Sequence, residues 1–177
     1  MRQSSRLCAA ALFTALTAVC AQICIPMPPV PVSMALFAVQ LCGALLGARW
    51  GMLSMAAYIL LGAVGVPVFS GFASGPSALF GSTGGFLAGY VLCAGITGRL
   101  CARSGASLVR CCAAMCAGLT VCYACGTLWF MFVSGSSPAA ALGACALPFL
   151  PADALKILLA ALLAARLRPP LKSMGLI

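Results

Sequence analysis

The chain carries one carboxylate side chain, Asp153, and it stands three residues before Lys156 in the apolar stretch Pro151-Ala-Asp-Ala-Leu-Lys-Ile-Leu-Leu-Ala-Ala-Leu-Leu-Ala-Ala165. At i and i+3 of a helix, two side chains share a face, so this carboxylate and this ammonium can meet. A charge at a bilayer centre costs roughly 2.5 to 3.5 kcal/mol on insertion scales, which favours turning both toward each other and toward a protein interior. The pair therefore reads as the polar floor or wall of a ligand pocket. A second reading makes Asp153 a first-turn acid after the helix starter Pro151, with Lys156 snorkelling to the headgroups. Depth argues against it. The thirteen positions from Asp153 to Arg166 rise about 20 Å, which leaves Asp153 roughly 10 Å inside a 30 Å core. At that depth the broken segment Pro148-Phe-Leu-Pro151 is tolerated only where it is buried in protein or lines a cavity.

Three further groups of residues bear on a pocket. Residues 65–82 place Phe69, Phe72 and Phe80 among Gly, Pro and Ser. Apolar side chains in a long connection pack onto something, either as a lid over a site or in the headgroup interface. Thr83, Phe86 and Tyr90 follow at helical spacing, a face that suits a small ring-shaped ligand or a plain aromatic core. Gly81, Gly85 and Gly89 recur at every fourth position, a ridge for close helix packing. Gly81-Ser-Thr-Gly-Gly85 has no Gly-Lys-Ser/Thr ending and no carboxylate nearby for magnesium, so it is not a nucleotide loop. Ala11 and Ala15 form a small-xxx-small pair, a smooth surface for another helix, inside or outside the chain.

The elements that must position these residues are membrane helices. Hydrophobic residues make up 64% of the chain and charged ones 6%, mean hydropathy is +1.17, and His, Glu and Asn are absent. A core about 30 Å thick takes about 20 apolar residues per helical span. The apolar runs and their breakers give one integral-membrane domain over residues 1–177, all-α. Six spans are expected, near residues 7–25, 32–48, 51–66, 81–98 and 111–133, with a last one ending at Ala165. The opening mimics a signal peptide, with Arg2 and Arg6 before an apolar run, but no good cleavage site follows and a stop comes only at Pro26, Pro28 and Pro29. The twelve cysteines lie largely within the apolar runs and read as small hydrophobes. Cys122 and Cys125 form a CxxC with no His and no second CxxC, which points to packing rather than to zinc.

Charge placement orients the spans. Apart from Lys156, the cations fall at Arg2 and Arg6, at Arg49, at Arg99, Arg103 and Arg110, and at Arg166, Arg168 and Lys172, and the alternate connections hold none. Under the positive-inside rule both ends are cytoplasmic. The net charge of +9 then serves orientation or contact with anionic lipid, and no nucleic acid is implied.

At this point the residues resemble the BioY family, the substrate-binding S components of energy-coupling-factor (ECF) vitamin transporters, over nearly the whole chain. The specific pieces are Tyr58-Ile-Leu-Leu-Gly-Ala-Val-Gly-Val-Pro-Val-Phe69, then Gly81-Ser-Thr-Gly-Gly-Phe86 with Gly89, and Pro148-Phe-Leu-Pro-Ala-Asp153-Ala-Leu-Lys156. The resemblance implies a six-helix protein of the bacterial plasma membrane that captures biotin from outside, needs no cofactor, and docks on a transmembrane coupling subunit and two ATPases. It implies Asp153 and Lys156 at the biotin site, and Phe69, Phe72, Thr83, Phe86, Tyr90 and Tyr58 are the candidate residues around the ligand. Ala11 and Ala15 look like the contact motif for the coupling subunit. The chain departs from the family pattern at Ser82 and Phe86, where members often have Pro and Tyr, and at Ser33 and Ala35, where many have Thr and Gln.

The residues themselves agree with biotin. A ureido ring presents a carbonyl acceptor and two N–H donors, which a carboxylate and an ammonium together can satisfy. An intramembrane hydrolase or transferase would need paired carboxylates, a His or a metal cluster. A channel would want a polar lining, and the spans offer Gln22, Gln40 and scattered Ser and Thr.

Overall fold

Apolar segments in hydrocarbon fold as helices because the helix satisfies its own backbone N–H and C=O groups. A computed structural model describes residues 3–27, 30–103, 107–146 and 148–173. Its helices are α1 (Gln3–Gln22), α2 (Ala35–Ala63), α3 (Gly75–Phe80), α4 (Gly84–Arg103), α5 (Leu108–Ser134), α6 (Pro138–Cys145) and α7 (Leu150–Ser173). Two short antiparallel strands, β1 (Cys24–Ile25) and β2 (Val32–Ser33), pair Cys24 with Ser33 and Ile25 with Val32 between α1 and α2. Arg2, Pro28 and Pro29 of the sequence argument lie outside the described residues, as do the side chains of Arg103 and Lys172.

The second and third expected spans are the two arms of α2. No loop separates them. Gly47 alone breaks the helix, at φ 78° and ψ 179°, a backbone region that is essentially glycine's. A Cβ built on Gly51 would lie 3.2 Å from the Cα of Gly43, whereas residues eight apart in a straight helix are separated by about 12 Å. The chain thus doubles back at Gly47, and residues 35–46 pack against residues 48–63. α4 fits into the crook: a Cβ on Gly98 would meet the Gly47 carbonyl carbon at 2.5 Å, and one on Gly43 the Ala94 carbonyl oxygen at 2.5 Å.

α1, α2, most of α4 and α5 are each long and apolar enough to cross a membrane, and α6 with α7 form a bent pair that passes the same test together. With α2 counted as two arms, the protein is a six-span, multi-pass membrane protein. The last span is broken because Pro148 and Pro151 interrupt the helical hydrogen bonding between α6 and α7.

Small residues set how near the helices lie. Gly85 faces the Trp129 Cβ and the Cys125 carbonyl, and Gly89 faces Cys122, so α4 and α5 touch backbone to backbone. Gly81 is not part of that ridge. It sits in the turn before α4, where its carbonyl accepts the Trp129 indole N–H at 2.9 Å, because α4 begins only at Gly84. α1 joins the bundle through hydroxyls: Thr14 Oγ1 donates to the Ser54 carbonyl at 2.9 Å, and Ser54 Oγ to the Ala10 carbonyl at 2.8 Å. The opposite face of α1, with Ala11 and Ala15, is exposed.

The connection expected as a loop over residues 65–82 is partly helical. It folds as a single 3-10 turn at Ser70–Phe72 and then α3.

Candidate functional site

Asp153 is 3% exposed and Lys156 7%, which is low enough that each charge must find its partner inside the protein. They find each other. Lys156 Nζ donates to Asp153 Oδ1 at 2.8 Å, as the i,i+3 spacing predicts. Nζ also donates to the Ser33 carbonyl at 2.7 Å. That carbonyl is available because Ser33 ends β2 and leads into α2, so the short ribbon delivers a backbone acceptor to the ammonium. The other carboxylate oxygen, Oδ2, accepts a hydrogen bond from the Tyr123 hydroxyl of α5. Asp153 also stands in the first turns of α7, its own N–H donating to the Phe149 carbonyl at 2.9 Å, so the helix dipole adds to the ammonium in holding the carboxylate.

A cavity of about 310 Å³ opens onto this pair. Asp153, Lys156, Ser33 and Tyr123 form its polar end. Phe86, Tyr90, Cys122 and Phe149 line its flanks, and Phe69, Ser70, Ala73, Ser77 and Ser82 come from the segment between α2 and α4. The Phe86 and Tyr123 rings meet edge to face, centroids 6.5 Å apart at 87°. Phe86 can lie there because Gly126 of α5 leaves room, a Cβ at that position being 2.4 Å from the ring.

Of the residues picked out in the sequence, Asp153, Lys156, Phe69, Thr83, Phe86 and Tyr90 come together around this one cavity. Thr83 reaches it with its hydroxyl already committed to the Ala78 carbonyl at 3.2 Å, while its own carbonyl accepts the N–H groups of Phe86 and Leu87 in the first turn of α4. Two residues lie elsewhere. Phe72 is 70% exposed and points away, because its backbone adopts φ 60° at the end of the 3-10 turn and throws the ring outward. Tyr58 is buried beneath the cavity wall, its hydroxyl donating to the Val68 carbonyl at 3.0 Å and its ring edge-on to Phe69 at 5.5 Å. It supports Phe69 without lining the cavity.

Tyr123 was not legible from spacing, for it lies on a different span from Asp153 and contacts it only in the folded bundle. Phe149 had a signal: the broken Pro148-to-Pro151 segment, at the depth argued above, had to line a cavity or be buried. Phe149 is 6% exposed and lines the cavity. Among the described residues there is no cluster of three or more His, Cys, Asp or Glu able to hold a metal. The cysteines of the described residues are free thiols.

The fold is one already seen. A solved structure described as the S-component for biotin from an ECF-type ABC transporter superposes with a TM-score of 0.86, covering 95% of this chain and 93% of that one at 24% identity. The sequence carries the relationship further. The biotin transporter BioY of Thermotoga maritima is 41% identical over 160 residues, 90% of this chain and 93% of the relative. The probable biotin transporter BioY of Pyrococcus horikoshii is 39% identical over 158 residues, 89% and 93% of the two chains. The BioY family matches residues 1–173, so the span count, the buried acid–base pair and the extent of the match lead to one conclusion: this chain belongs to the BioY family.

Proposed function

We propose that the chain is the biotin-capturing subunit of a vitamin-uptake transporter, taking biotin into the 310 Å³ cavity from outside and passing it inward. The observation that carries this is the Asp153–Lys156 pair buried at the end of a cavity whose flanks are aromatic and whose covering segment adds Ser70, Ser77 and Ser82. That volume is at the small end of the range for small-molecule sites. The pair is neutral in sum, yet it presents an ammonium and a carboxylate side by side. An ammonium has three N–H donors, and two on Lys156 are used by Asp153 and the Ser33 carbonyl. The third is left for a ligand acceptor. The carboxylate oxygens, each with one partner named above, keep lone pairs for ligand N–H groups. A ureido ring needs both kinds, while Phe86, Tyr90 and Phe149 suit a thiophane ring and an aliphatic tail.

Delivery inward draws on a partner. The sequence has no nucleotide loop, and the likeness to an S-component of an ECF-type ABC transporter supports a partner module; one transmembrane coupling subunit and two ATPases is the composition that the sequence resemblance implies. The exposed alanines of α1, Ala11 and Ala15, are the proposed docking face. The proposed setting is a bacterial plasma membrane, with the Arg49, Arg99–Arg110 and Arg166–Lys172 regions cytoplasmic and the cavity opening outward.

The test is an equilibrium titration of the purified protein with labelled biotin, competed by a panel of other vitamins. Saturable binding displaced by biotin and not by the others is expected. Displacement by a different vitamin, or no saturable biotin binding, would overturn the reading.

A further inference from the structure

Gln22 ends α1 and has no part in the cavity described above, yet both halves of its amide are engaged across 47 and 50 residues of sequence. Nε2 donates to the Phe69 carbonyl at 3.1 Å, and Oε1 accepts the Phe72 N–H at 2.9 Å. Nε2 also reaches back to the Ala18 carbonyl of its own helix at 3.3 Å, which fixes the side-chain direction. The stretch it grips is the inner edge of the segment covering the cavity. Phe69, Ser70 and Ala73 line the cavity, and Phe69 N–H closes the short loop on the Ala73 carbonyl at 3.1 Å.

We propose that Gln22 is the catch of this lid, a positioning residue that ties residues 69–72 to α1 and thereby sets how long a ligand is retained. The proposal rests on the biotin reading above for the identity of that ligand. A primary amide suits the fork because it supplies a donor and an acceptor side by side, as a neighbouring strand would. A carboxylate keeps the acceptor and loses the donor; an aliphatic chain loses both. The grip is needed at Phe72, whose φ of 60° lies in the left-handed region that non-glycine residues seldom adopt. The other end of the lid is held independently, by the Tyr58 hydroxyl on the Val68 carbonyl and by the Phe69 ring, which lies so close over Gly62 that a Cβ there would be 2.0 Å from it. Among the described residues the hydrogen bonds between lid and α1 run through this one side chain, beside an apolar cluster that holds Ala21 of α1 with Val68 and Phe69, and α1 is the helix that presents Ala11 and Ala15 outward.

The experiment uses the full chain in detergent and compares it with Gln22→Ala and Gln22→Glu. Hydrogen–deuterium exchange of a peptide covering residues 68–74 is measured without ligand, and the dissociation rate of labelled biotin is measured separately. With two hydrogen bonds removed, Gln22→Ala is expected to exchange this peptide faster and to release biotin about tenfold faster. Gln22→Glu should fall between, and the thermal midpoint should be nearly unchanged. Unchanged exchange in Gln22→Ala, or faster exchange with an unchanged release rate, would overturn the catch. If Gln22→Ala does not fold, Gln22→Glu decides by the same two readouts. Should the unmutated protein bind no biotin, the biotin reading falls while the exchange comparison still decides whether Gln22 holds the lid.

Discussion

Asp153 and Lys156 neutralise each other, and a pair that did only this would respond to mutation in a recognisable way. Removing one partner from a buried pair strands the other at a cost of about 3 to 5 kcal/mol, and neutralising both relieves it. A pair that also holds a ligand responds differently. We expect Asp153→Asn, Lys156→Gln and the double variant all to lose about 1 to 3 kcal/mol of biotin affinity, the worth of a charge-assisted hydrogen bond. Equilibrium binding measures the affinity and thermal unfolding checks the fold. The double variant is the informative species, for native affinity in a folded double variant would reduce the pair to a structural role. The pair itself was legible in the sequence, because one acid in an apolar chain and a lysine one turn on leave few alternatives. Its remaining partners were not. The Ser33 carbonyl is a backbone group brought in by β2, and Tyr123 arrives from α5; neither relation has a sequence spacing. Phe72 shows the opposite failure, since its composition and neighbourhood matched those of Phe69 and only a left-handed φ separates a ring that faces out from one that faces the cavity.

At the level of elements, apolar runs and their breakers located the ends of the first five spans to within about five residues, since each must bury its backbone polar groups along most of the bilayer, whereas α7 runs on to Ser173, past the expected end at Ala165. The α2 reversal was harder to see. The sequence shows a Gly at 47 and an Arg at 49 between two apolar runs, which suggests a connection; the structure makes the connection a single residue. Helix α3 was hidden because six residues rich in Gly, Pro and Ser carry no periodicity. A relation between helix ends was also hidden, and it gives a prediction. Cys101 near the end of α4 and Cys111 near the start of α5 are both buried, with their Sγ atoms 3.3 Å apart. Arg168 of α7 sits against the same end, donating to the Cys101 carbonyl at 3.0 Å and to the Ala44 carbonyl at 2.7 Å. A disulfide needs an S–S distance of about 2.05 Å, so a small approach suffices. Mild oxidation of the purified protein with copper phenanthroline and air should join these two thiols, and the bond should raise stability by about 2 to 4 kcal/mol. Peptide mass spectrometry reads the link, and Cys101→Ala should abolish both link and stabilisation. Recovery of both cysteines as free thiols after oxidation would show that the helix ends are held apart.

For the whole molecule, the question is which outer surface meets a partner rather than lipid. Lipid tails are as apolar as leucine, so a surface that faces only lipid gains nothing from small side chains, whereas a helix–helix contact gains close approach. α1 is the element where this distinction is sharpest. Its inward face, Ala10, Thr14, Thr17 and Ala21, is buried, and Thr14 is bonded to Ser54. The bundle has therefore already taken the face it needs. On the other side, Ala11 and Ala15 lie exposed beside the large exposed side chains of Leu12, Leu16 and Val19, so two alanines one turn apart form a shallow trough between ridges. Since neither alanine packs inside the chain, replacing both with tryptophan should leave the core, the cavity and biotin binding as they are. It should fill the trough and keep a second backbone at a distance. The Ala11→Trp, Ala15→Trp double variant is therefore expected to bind labelled biotin with unchanged affinity, to fail to co-purify with the coupling subunit, and to lose uptake in cells. Normal uptake would assign this face to lipid. Lost uptake together with lost binding would show instead that the α1 surface shapes the cavity, and with it that docking must be sought on another helix.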